Sequence, residues 1–163
     1  MKYYIEDNCR YLSDSKHFKA LPKNCIFDKG KVGAGGTSLA LRSSTAYVIA
    51  VPFVSLILNK MDQHGNVFGV YAGISNLEIK DYIFEATTPI IMTTYDSIDR
   101  VITAIDEVSS VKKFKLLIDE YHLLFTQYAF RSDAVRSVLA NYTKFKEYCF
   151  MTATVLDNEF ILD

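Results

Sequence analysis

A chain of 163 residues, half of them hydrophobic and 23% charged, has the composition of one globular domain with a substantial core, not of a disordered polymer. No apolar run approaches the roughly 20 residues that span a bilayer; the longest, 46–58, is broken by Pro52 and Ser55. A formal net charge of −1 gives no overall attraction for nucleic acid, so any such contact must come from local loops.

The N-terminal residues carry no apolar signal-peptide core behind Lys2, and a cytoplasmic protein with no membrane partner is expected. Cys9, Cys25 and Cys149 are odd in number and widely spaced, which suggests reduced apolar side chains, not a zinc site or disulfide framework.

A polar, tyrosine-rich lead-in fills residues 1–22, and one domain is expected over 23–163. Short apolar runs at 24–27, 46–51, 67–72, 89–94, 114–119 and 147–154 read as strands. Between them, helices are expected from 37–42, 53–61, 76–86, 97–108 and a long region ending near Tyr142. In 76–86 the apolar face would be Leu77, Ile79, Ile83 and Phe84. Alternation of this kind predicts an α/β fold, a mainly parallel sheet with helices on both faces. Ligands in such sheets bind at the carboxyl ends of the strands.

Two stretches fall at such ends. In "GKVGAGGTS", residues 30–38, a glycine-rich loop joins a strand to a helix. Backbone N–H groups in such a loop converge on phosphate, and the closing hydroxyl suits Mg²⁺. Gly30, Gly35 and Thr37 match that pattern, but Gly36 stands where it requires lysine. Lys29 and Lys31 are close in sequence, on the wrong side of the loop. The other stretch is "LLIDEYH", residues 116–122, an apolar strand ending on Asp119 and Glu120. One acid suits a metal shell and the other can orient and deprotonate a water.

"DEYH" (119–122) resembles motif II of superfamily 2 helicases, the DEAD/DEAH-box group. "VPFVSLILNK" (51–60) is similar to their motif Ia. "MTTYDSI" (92–98) resembles the strand-contacting segment before motif II, and "TAT" (152–154) resembles motif III. The similarity runs from about residue 24 to 154, in the family's order. It implies a RecA-like P-loop NTPase domain that uses ATP and Mg²⁺ and holds single-stranded DNA or RNA.

Carried over, Gly30, Gly33, Gly35, Gly36, Thr37 and Ser38 would bind the nucleotide, with Thr37 and Asp119 at the metal. Asp119, Glu120 and His122 would be catalytic. Thr152 and Thr154 would couple hydrolysis to movement, and Pro52, Asn59, Lys60, Thr94 and Tyr95 would line the strand groove. Thr37 and Asp119 should then lie within about 8 Å, near enough to share one Mg²⁺ shell.

The sequence departs from the family in three ways. The loop lysine is Gly36, no adenine-reading glutamine precedes the loop, and the chain stops at Asp163 without the family's second RecA-like domain. That domain is expected in the parent chain or in a partner. The leading expectation is an ATPase domain inactive or nearly so alone, in which Gly36→Lys strengthens ATP binding. Its alternative is a pseudo-ATPase module that binds nucleic acid or a protein without turnover. A nucleotide kinase ranks last, since only Arg131 and Arg136 come late in the chain.

Overall fold

The computed structural model describes residues 9–126 and 128–154. Runs rich in β-branched and aliphatic residues form β1 (Cys25–Asp28), β2 (Tyr47–Val51), β3 (Phe68–Val70), β4 (Ile90–Thr94), β5 (Lys115–Asp119) and β6 (Glu147–Thr152). They make one sheet in the order β1-β6-β5-β2-β4-β3, and every pairing is parallel. β2 and β4 are buried along their whole length, as expected of strands covered on both faces.

The helices are α1 (Gly36–Leu41), α2 (Val54–Gln63), α3 (Asn76–Glu85), α4 (Ile98–Val108), α5 (His122–Thr126) and α6 (Tyr128–Asn141). Successive β2 residues point to opposite faces. Tyr47, Ile49 and Val51 pack with Ala40 and Leu41 of α1 and Ile57 of α2. Val48 and Ala50 pack with Ile79 of α3, Ile105 of α4, Leu124 of α5 and Val138 of α6. Connections that step towards β3 therefore cross one face and those that step back cross the other. That is what a single crossover hand requires.

Three expectations need correction. The long helical region after β5 is not one regular helix, since α6 has a non-helical residue at Arg131 (φ −135°, ψ 35°). On α3 only Ile79 and Ile83 face the core; Leu77 and Phe84 are 63% and 87% exposed. The lead-in, from residue 9 onward, packs as part of the domain. Leu12 and Phe18 bury themselves against Ala34 of the glycine loop, and the Leu12 N–H donates to the Ala34 carbonyl at 2.8 Å. No disulfide forms: Cys25 and Cys149 are register partners on β1 and β6, and both are free thiols.

Candidate functional site

The carboxyl ends of the neighbouring strands β1, β6 and β5 bring the glycine loop, Thr152 and the two acids to one edge. The loop leaves β1 at Asp28, whose carboxylate accepts the Gly30 N–H at 2.8 Å. Gly33 and Gly35 have φ of +74° and +78°, the left-handed region that glycine enters without strain. The chain then turns into α1, and the Thr37 hydroxyl donates to Asp119 Oδ2 at 2.6 Å. Thr37 and Asp119 thus lie far inside the 8 Å expected of residues sharing a metal. Two adjacent ligands of an octahedral Mg²⁺ would lie about 3 Å apart for Mg–O distances of roughly 2.1 Å, so this hard oxygen pair fits that ion.

Glu120 follows β5 directly and has φ of +56°, a left-handed conformation rare for a residue with a side chain. Its surroundings hold it there. The Glu120 N–H donates to Asp119 Oδ1 at 3.0 Å, and the Tyr95 hydroxyl donates to the carbonyls of both Asp119 and Glu120. Backbone held in such a conformation costs on the order of 1–3 kcal/mol and concentrates at functional positions.

His122 begins α5. Its Nδ1 is 2.8 Å from Thr152 Oγ1 and 3.5 Å from Glu120 Oε2, and the Thr154 N–H donates to Thr152 Oγ1 at 3.0 Å. A continuous polar chain therefore runs from Glu120 through His122 and Thr152 to Thr154. The fold thus brings Glu120, His122, Thr152 and Thr154 together.

Lys29 corrects the sequence reading. Its side chain is on the useful side of the loop, with Nζ 2.8 Å from Glu120 Oε1 and 3.4 Å from Asp119 Oδ1, and is only 6% exposed. Burial works against its charge, but attraction to Asp119 and the bond to Glu120 more than offset this, so its pKa is raised. Gly36 is the converse case. A Cβ there would lie 2.3 Å from Met151 Sδ and 2.9 Å from Met151 Cε, so the position is filled from β6.

The residues expected to line a strand groove do not form one surface. Pro52, Thr94 and Tyr95 are buried. Tyr95, 1% exposed, is corrected from a groove residue to a support beneath the acids. The Thr94 hydroxyl donates to Ser97 at 3.3 Å. Only Asn59 and Lys60, near the end of α2, are available to solvent, and both bond to Gln63.

Sequence reasoning missed Arg131, which ties this region together. It donates to the Pro52 carbonyl at 2.8 Å, pairs with Asp96 at 3.6 Å and lies over the Phe53 ring. A cavity of about 400 Å³ lined by Lys19, Arg42, Tyr47 and Lys115 lies at the amino ends of β2 and β5, away from the acids.

With six parallel strands and helices on both faces, the chain has the α/β fold of a helicase RecA-like domain. The crystal structure of the Pyrococcus furiosus Hef helicase domain is similar, with a TM-score of 0.56 and 16% sequence identity over 84% of this chain. This chain spans 32% of that one. No protein-family model and no curated protein matches the sequence.

Proposed function

We propose that the chain is the ATP-binding domain of a DEAD/DEAH-type nucleic-acid helicase, using ATP and Mg²⁺ and acting with a second RecA-like domain. The observation that carries this reading is the 2.6 Å contact of Thr37 with Asp119, made beside Glu120 and the His122–Thr152 pair. Thr37 and Asp119 would hold the metal ion, whose positive charge would offset that of the nucleotide phosphates.

The glycine loop wraps the phosphates with backbone N–H groups. Glu120 orients the attacking water and accepts its proton. His122, bonded to Thr152, links the state of the nucleotide site to the segment that leads towards Thr154. Single-stranded DNA or RNA is the polymer on which the machine acts.

Calorimetric titration with ATP–Mg²⁺ and a phosphate-release assay test this. The wild-type chain is expected to bind ATP only when Mg²⁺ is present and to turn it over slowly. Glu120→Gln should keep binding while cutting turnover by about 10²-fold or more, the usual contribution of a general base. Absence of ATP binding at millimolar concentrations would overturn the reading. Binding with no turnover above background, even with a second RecA-like domain supplied, would favour the pseudo-ATPase module.

A further inference from the structure

We propose that Lys29 supplies the phosphate-binding cation that position 36 lacks, and that Met151 fills the space a lysine there would need. The inference rests on the nucleotide-site reading above and assigns the loop's cation to another strand position.

Three observations converge on it. First, Lys29 Nζ already touches the acids of the site, at 2.8 Å from Glu120 Oε1 and 3.4 Å from Asp119 Oδ1. The other oxygen of Asp119 accepts from Thr37 at 2.6 Å. The ammonium and the metal-side hydroxyl thus bracket one carboxylate. Second, the base of this side chain is fixed. The Lys29 N–H donates to the Thr152 carbonyl at 2.8 Å, extending the β1–β6 ladder by one residue. Beyond that anchor the ammonium is held against Glu120 and Asp119, and rotation of the four-carbon stem would turn it from Glu120 towards a phosphate bound in the adjacent loop. Third, Gly36 has no left-handed backbone that would demand glycine. What a side chain there would have to displace is the buried thioether of Met151.

A buried ion pair adds little stability compared with an apolar packing of the same volume. Stability alone therefore does not account for a lysine enclosed here. A phosphate cation does. It also gives the pair a working cycle. Without nucleotide, Lys29 neutralises Asp119 and Glu120; with nucleotide bound it turns to the phosphates and leaves Glu120 able to take a proton.

The test uses Glu120→Gln as its reference, because that protein keeps Lys29 but holds no unpaired glutamate when the lysine is removed. ATP–Mg²⁺ is titrated into Glu120→Gln and into the double variant Lys29→Gln/Glu120→Gln, with circular dichroism confirming the fold of each. Removing a charge-assisted contact predicts affinity roughly ten- to a hundredfold weaker in the double variant, with a smaller loss for AMP. Adding Gly36→Lys and Met151→Ala to the double variant should recover part of the ATP affinity by returning a lysine to the loop.

Equal ATP affinity with and without Lys29 would overturn the inference and leave the nucleotide reading standing. Lys29 would then be only a counter-charge for the acids. Failure of both the wild type and Glu120→Gln to bind ATP would instead remove the nucleotide reading, and this inference with it.

Discussion

At Gly36 the missing lysine and the space left for it tell different stories. The loop pattern alone suggests that restoring lysine would strengthen ATP binding. The Met151 thioether in that space works against that expectation. Inserting a long side chain into a filled site typically costs about 1–3 kcal/mol. Gly36→Lys should therefore lower the urea midpoint and leave ATP affinity unchanged or weaker, while Met151→Ala in the same chain should recover part of the lost stability. A stable Gly36→Lys protein with tighter ATP binding would show that the thioether yields easily.

The glycine loop, Thr37 and the Asp119–Glu120 pair were legible because each is a local pattern at a strand end. Lys29 was not. Its partners lie 90 and 91 positions away, and only the parallel pairing of β1, β6 and β5 brings them together. The burial of Tyr95 was hidden for the same reason, since a tyrosine after a strand looks equally suited to solvent and to support.

Among the elements, strands were the most readable. Their β-branched runs agree with β1 to β6 to within a few residues at each end. The start of α3 also has a local cause: Ser75 accepts the Glu78 N–H, and Glu78 returns a bond to the Ser75 N–H, capping the helix from both sides. The kink at Arg131 had no such signal, because that arginine is held by Pro52 and Asp96, far away in the sequence.

α2 carries a functional expectation of its own. With Pro52, Thr94 and Tyr95 buried, its Asn59–Gln63–Lys60 cluster is what remains of the expected strand contact. The one charged group here, Lys60, would hold phosphate, which carries no sequence information. Binding of single-stranded oligonucleotides should then be weak, sequence-tolerant and salt-sensitive, and Lys60→Ala should weaken it about equally for all sequences. Fluorescence anisotropy across a salt series reads this. Tight, salt-insensitive binding to one sequence would contradict it.

At the scale of the whole molecule, the sheet's two faces share one vulnerability to alkali. Burial raises the pKa of Tyr95, helped by Asp119 and Glu120, and Tyr95 belongs to the layer packed under α3, α4 and α6. Burial likewise raises Tyr47 and Cys149, which belong to the opposite layer under α1 and α2. Lys29, at the site between them, is raised as well, its acid partners outweighing the effect of burial.

All four shifts have the same sign. Each group holds its proton more tightly in the folded state than in the unfolded one, so its contribution is fully present below the unfolded pKa. That contribution is lost as pH rises towards the folded value, because the unfolded chain releases the proton first. Ordinary values of about 8.5 for thiol, 10 for phenol and 10.4 for lysine put the onset near pH 9. Above that, each group can remove up to about 1.4 kcal/mol per pH unit.

Because the titrating groups lie on both faces, neither layer should melt while the other stays folded. Urea midpoints should be level through neutral pH and fall steeply above about pH 9–10. The tyrosinate absorbance that Tyr47→Phe removes should appear together with the loss of far-ultraviolet circular dichroism across a pH titration. Tyr47→Phe should make the fall shallower, since it removes one of the linked protons. Ionisation of Tyr47 ahead of any loss of helix signal, read as the absorbance difference from Tyr47→Phe, would mean that this tyrosine reaches solvent in the folded protein.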